Sequence, residues 1–268
     1  MAKMLGLDGN DEMVRLWMRG TTGQVIAKEQ IDHYPIDVPV AFRSMSKRKI
    51  IKDCWKTRRD FYYIDNGYIG NAQKKKWYYR VVKNNVQHVE KIVDVPKDRF
   101  DRMLEIHPWM KYNGQKSRPD NGPILLVTPS GKPGAFYGVN REDWLETTIT
   151  EIKKHTDRKI IIRDKGLRSE RVGGNNIASQ CARDGIWALV TYQSIAALEA
   201  IHYGIPAFTM APTATQHLAN TDLSQIETPM YPDELEFKKL LNYLAYCQYT
   251  PGELGSGLAY RLIKELDL

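Results

Sequence analysis

The sequence predicts an α/β protein in two halves, on the strength of three observations. Short apolar runs alternate with helical segments through the second half, those runs are apolar enough for strands buried on both faces, and a turn-rich stretch separates the halves. With 268 residues the chain has room for one large domain or for two of roughly 120 residues.

In the first half, Val38–Arg43 reads as a strand and Lys47–Thr57 as a basic helix. Phe61–Asp65 is a second strand closed by the turn Asn66-Gly67, and Trp77–Val82 a third. A short helix is expected around Lys97–Leu104. The segment HPWMKYNGQKSRPDNGP that follows is dense in turn formers, which places a boundary near Ser117–Gly122.

In the second half the alternation is cleaner. Ile124–Thr128 is a strand, Arg141–His155 a helix, Lys159–Arg163 a strand, Asn175–Ala182 a helix and Ala188–Thr191 a strand. Ile195–Tyr203 then forms an apolar helix, Gly204 ends it, and Pro206 opens the strand Ala207–Met210. Asp233–Tyr246 is an amphipathic helix, and Pro251 stands at the first turn of another, Gly252–Leu266. The expected division is an acceptor-side α/β domain over 1–118, a second α/β domain over 119–248 and a C-terminal helix over 249–268.

Composition narrows the function classes. With 42% hydrophobic and 26% charged residues the chain is that of a water-soluble globular protein, and no apolar run approaches the roughly 18 residues that span a bilayer. MAKMLGLDGNDE lacks the apolar centre of a signal peptide. Cys54, Cys181 and Cys247 are widely spaced, so they suggest neither a disulfide framework nor a metal site, and the odd count without an export signal points to a reducing cytoplasm. No ligand-spaced cluster of Asp and His suggests a bound metal.

A formal charge of +7 invites a polyanionic partner, and its distribution says more than its size. Arg43, Lys47, Arg48, Lys49, Lys52, Lys56, Arg58 and Arg59 form one cluster; Lys74, Lys75, Lys76, Arg80 and Lys83 form another, interleaved with Trp77, Tyr78 and Tyr79. Cations among aromatics suit a surface that meets phosphates and stacks on bases, as DNA requires. The same residues also read as a solvated loop followed by an inward-packing strand.

Ligands of a parallel sheet bind beyond the C-terminal ends of its strands. Three such ends carry polar residues: Ser130 and Gly131, then Arg163 and Lys165, then Tyr192, Gln193 and Ser194. Small residues let the backbone approach an anion, and Arg163 and Lys165 supply positive charge. PSGKPG lacks the spacing of a P-loop. Ser194, at a helix start, either caps the helix or helps hold a phosphate. Glu199, five residues on, is either a solvated helix residue or a carboxylate placed to accept hydrogen bonds from ribose hydroxyls. In the first half, Asp65 is either a base for an acceptor hydroxyl or a turn residue accepting N–H bonds within Asp-Asn-Gly, with His107 and His217 as alternative bases.

These features carry a resemblance. The second half resembles the donor-binding domain of GT-B glycosyltransferases. Over roughly residues 60–260 the chain is similar to short phage-type glycosyltransferase-like proteins, through FYYIDNGYIG with YYRVVKNN, HPW before ILLVTPS, TDRKIIIRDK, TYQSIAALEAIHYGIP and LNYLAYCQYTPGELGSGLAY. The resemblance implies two facing Rossmann-like domains with a C-terminal helix crossing back to the first. It also implies hexosyl transfer from a nucleotide sugar, UDP-linked, with no tightly bound cofactor. Arg163 and Lys165 would then meet the diphosphate, Ser194 would sit at the helix start, Glu199 would meet the ribose, and Asp65 would face the same crevice from the acceptor side. The acceptor it suggests is a hydroxymethylated pyrimidine in phage DNA, flipped from the duplex inside the host cytoplasm. A surface glycan or lipid carrier as acceptor, and a non-catalytic nucleotide- or DNA-binding protein on the same fold, are the alternatives.

Overall fold

The chain opens on a strand too short to show a period. This is β1 (Leu5–Leu7), buried throughout its three residues. Asp11 then starts α1 (Glu12–Gly20) by accepting from the amides of Met13 and Val14, with Glu12 well placed in the first turn. Met13, Val14, Trp17 and Met18 form the buried face of that helix. Next come β2 (Gln24–Ile26), β3 (Val40–Arg43), α2 (Arg48–Thr57), β4 (Phe61–Asn66), β5 (Tyr79–Lys83) and α3 (Asp98–Ile106). The middle of the chain supplies β6 (Ile124–Val127), α4 (Gly131–Tyr137), α5 (Arg141–Lys153), β7 (Ile160–Arg163), α6 (Arg168–Val172), α7 (Ile177–Asp184), β8 (Ala188–Thr191), α8 (Ala196–Tyr203) and β9 (Ala207–Thr209). It closes with α9 (Glu234–Tyr246), β10 (Gln248–Tyr249), α10 (Pro251–Ser256) and α11 (Leu258–Leu266).

This computed structural model describes residues 3–69, 77–90, 92–112 and 114–268, so the sequence-predicted cations Lys74, Lys75 and Lys76 lie outside the described residues. Two units divide the chain: the first runs to Ile106 and takes back Leu241–Leu268, and the second holds His107–Leu240.

The first unit is built on a six-stranded sheet of order β10-β5-β4-β3-β1-β2. β2, β1, β3 and β4 run parallel, whereas β5 is antiparallel to β4 and β10 antiparallel to β5. The C-terminal segment is fastened to α3 by Arg99, only 8% exposed. Its guanidinium donates to the carbonyls of Ala245 and Gln248 and pairs with Glu253 at 2.7 Å. The expected continuous helix Gly252–Leu266 is two helices, α10 and α11, broken at Gly257 with φ +82°. Close packing against α1 explains the break: a Cβ on Gly257 would fall 2.5 Å from the carbonyl oxygen of Gly20.

The second unit carries a four-stranded parallel sheet of order β7-β6-β8-β9. Ile124, Leu126, Ile152, Ala188, Val190 and Phe208 pack into one core, all essentially inaccessible to water. Strand order reverses between β6 and β8, because the chain moves outward from β6 to β7 and then returns to the other side for β8. Their adjacent C-terminal ends are the sheet's topological switch point, the place where α/β sheets bind ligands.

Candidate functional site

The switch point is flanked by Ser130 after β6 and by Tyr192, Gln193 and Ser194 after β8. The buried Gln193 donates from Nε2 to the hydroxyl of Tyr137 at 2.9 Å, which ties the β8 loop to α4, the helix that follows β6. Tyr192 packs edge-on to Tyr137 and Trp144. The hydroxyl of Ser194 accepts from the Ala196 amide at 3.2 Å, so this serine does cap the turn into α8. Ser130 occupies the N-cap position of α4 without a side-chain capping bond. A Cβ on Gly131 would meet nothing within 4 Å, so the space above it is open and the fold itself does not demand glycine there.

Glu199 is the distinctive group. It lies in the first turn of α8, half-buried, and its carboxylate accepts no hydrogen bond within the described residues. Burial pushes its pKa up to about 7, with Arg163, Arg171 and Lys165 pulling the other way. A carboxylate short of donors in a cationic surround is prepared to accept hydroxyl protons from a ligand.

Arg163 plays a different part from the one its sequence position suggests. It is 9% exposed, and its guanidinium is already taken: Nη1 donates to the side chains of Gln180 and Asn175, Nη2 to the Asn175 carbonyl. It therefore braces α7 against β7 and influences Glu199 through its charge. Lys165 is exposed, in a loop held by Arg171 Nη1, which donates to the carbonyls of Lys165 and Gly166 at 2.8 and 2.9 Å. Sequence reasoning missed Arg171 because it lies beyond the strand end that drew attention to its neighbours. Asp164, the polar residue between Arg163 and Lys165 at the same strand end, joins two strand ends by accepting from Thr128 Oγ1 at 2.6 Å and Arg141 Nη2 at 2.5 Å.

In the first unit, Asp65 lies near the end of β4 as expected, but in a saturated environment. Oδ2 accepts from the Tyr63 hydroxyl at 2.6 Å and Arg80 Nη2 at 3.3 Å, and Oδ1 accepts from the Asn66 amide at 2.7 Å. Burial works to raise its pKa, but Arg80, the Tyr63 hydroxyl and the Asn66 amide outweigh burial and hold it below the usual carboxylate range. Those contacts lower its basicity, opposite to the tuning a general base needs at neutral pH.

The basic strand also departs from expectation. Arg80, read from sequence as a nucleic-acid contact, is 5% exposed, paired with Asp65 and donating to the carbonyls of Asn66 and Val86. Burial removes it from any solvent-facing set; Trp77 and Lys83 are half-buried. Of the alternative bases, His107 is 4% exposed with its pKa lowered by burial, and His217 is exposed in the loop after β9. Among the described residues no cluster of His, Cys, Asp and Glu could hold a metal ion, and no helix is long and apolar enough to cross a membrane.

No protein-family model and no curated protein sequence matches the chain. Solved structures do. The chain is similar to the β-Kdo 2,4 transferase of KpsC from Thermosulfurimonas dismutans, with a TM-score of 0.55 and 12% identity over 98% of each chain. It is also similar to the β-Kdo 2,7 transferase of KpsC from the same organism, with a TM-score of 0.50 and 11% identity over 97% of this chain and 99% of that one. At such identities the likeness establishes the fold alone: the α/β fold of this chain, with its parallel sheets, is one that glycosyltransferases use.

Proposed function

We propose that the protein is a glycosyltransferase whose nucleotide-sugar donor binds at the switch point of the second sheet. The observation that carries the reading is Glu199, a half-buried carboxylate that meets no hydrogen-bond donor among the described residues, in the first turn of a helix that leaves the switch point. The ribose hydroxyls of a nucleotide would donate to it, and Lys165 and the open space above Gly131 suit the phosphates. A UDP-sugar is the donor read from sequence. The structural neighbours, named as Kdo transferases, make activated Kdo the alternative.

The acceptor is a hydroxyl, and a saccharide suits it better than DNA. The aromatic and basic strand that favoured hydroxymethylated DNA loses Arg80 to the interior. Asp65, saturated with donors, is assigned to holding Arg80 and Tyr63 in place rather than to proton abstraction. The test is a binding titration with UDP and with activated Kdo, followed by transfer of labelled sugar to oligosaccharide and to hydroxymethylated DNA. Binding lost in Glu199→Ala and retained in Lys264→Ala is the expected result. Failure of every nucleotide tested to bind the unaltered protein would overturn the reading, and transfer to DNA alone would reverse the choice of acceptor.

A further inference from the structure

A cavity in the first unit, of about 660 Å3, lies between α2 and the segment that follows β2. Five cations line it: Lys28, Lys47, Arg48, Lys49 and Arg59. Three carboxylates also line it, so the balance is positive without being a uniform basic field. Lys28 pairs with Glu29 and Lys47 with Asp8, each at 3.6 Å. Arg59 differs. It is 6% exposed, and among the described residues its guanidinium donates only to the carbonyls of Tyr34 at 2.9 Å and Val38 at 3.5 Å. Buried charges are ordinarily paired with an opposite charge, and an arginine this deep whose hydrogen bonds go to neutral carbonyls has capacity left for an anion.

The remaining lining sets the size and character of an occupant. Ser46 and Thr57 offer hydroxyls, and Ile31, Ile36 and Ile50 an apolar floor. Cavities of this volume take small organic molecules rather than bare ions. We infer that this cavity binds a small polyhydroxylated anion, of mono- or disaccharide size, whose phosphate or carboxylate is held by Arg48, Lys49 and Arg59. Guanidinium and ammonium groups bind both anions through charge-assisted hydrogen bonds, and the hydroxyls of Ser46 and Thr57 meet those of the ligand. The site does not depend on the transferase reading, since every residue lining it belongs to the first unit and none to the switch point.

The test uses the full chain, isotope-labelled and free of nucleotide, titrated by NMR with glucose 6-phosphate, glucuronate and glucose in turn. Saturable shifts confined to residues 28–36 and 46–59 with either sugar anion, and none with glucose, are expected; which anion binds more tightly identifies the charged group. The double variant Arg48→Glu with Lys49→Glu changes exposed side chains, so it should fold normally and weaken binding by about tenfold or more. Arg59→Lys, which keeps the charge and loses the fork, should retain part of the affinity. Equal binding of glucose, indifference to the double variant, or binding of a DNA duplex with no saturable response to either sugar anion would overturn the proposal.

Discussion

Asp65 lies near the C-terminal end of a parallel strand in the first sheet and Glu199 in the helix that follows one in the second, and their environments are opposite. Asp65 accepts from three donors, beside a buried arginine, and its pKa is lowered. Glu199 accepts none within the described residues, and burial raises its pKa to about 7. A saturated carboxylate has its hydrogen-bonding capacity committed to the fold, whereas an unsatisfied one at a switch point has capacity left for a ligand. The difference supports a structural part for Asp65 and the binding proposed for Glu199.

The strongest way to break that comparison is Asp65→Asn. It leaves the buried Arg80 without its anion, and a urea titration of the full chain should show a loss of about 3 kcal/mol. A change below about 0.5 kcal/mol would mean that Asp65 is not a structural partner and would reopen its role as a base.

Glu199→Gln should do the reverse. At pH 8 it removes a half-buried charge that burial disfavours more than Arg163, Arg171 and Lys165 offset, and should stabilise the protein by about 2 kcal/mol, the raised pKa being discounted for partial exposure. The same variant should weaken binding of a nucleoside diphosphate by about tenfold. Stabilisation with unchanged affinity would separate the charge from the ligand and sink the ribose assignment.

The two groups should also leave opposite marks on stability against pH. Glu199 has a folded pKa above its unfolded value of 4.5, so its contribution is intact below 4.5 and declines as pH rises through about 7. The Glu199→Gln variant should lose that decline. Asp65 has a folded pKa below its ordinary 3.8, so its contribution holds above 3.8 and disappears as pH falls through the lower folded value. Melting temperatures recorded between pH 3 and pH 9 for both variants decide the matter, and a flat difference curve for Glu199→Gln between pH 5 and 8 would contradict it.

The smallest effect is expected at Gly131. A Cβ there meets nothing, so Gly131→Ala should move the melting temperature by little more than the error, equivalent to under about 0.5 kcal/mol. Nucleotide affinity should nevertheless fall, because the methyl group would fill the space a phosphate needs. An unaltered affinity would move the phosphates away from this loop.

Much of the second unit was legible in the sequence, and the reason is local. Ala188–Thr191 and its neighbours are apolar runs of strand length punctuated by Gly204 and Pro206 and could be recognised without their partners, whereas the short helices α4 and α6 were not expected from the sequence. The first unit was legible only in part. β1, β2 and β10 are two or three residues long and carry no periodic signal, so only their pairing reveals them. The break at Gly257 was hidden for the same reason: a helix interior and a close approach to Gly20 differ in tertiary contact, not in local propensity.

By itself the sequence determined the α/β class, the alternation that makes the second sheet parallel, and the identity of Ser194 and Glu199 as the polar residues entering α8. Those properties follow from the order of apolar and polar residues along one segment. Which charges are spent and which are free was decided by tertiary structure alone. Arg163 and Arg80 looked available for phosphates and are consumed by Asn175, Gln180 and Asp65, whereas Glu199 meets no donor among the described residues. The availability of a charge depends on what burial brings beside it, and those neighbours come from distant parts of the chain.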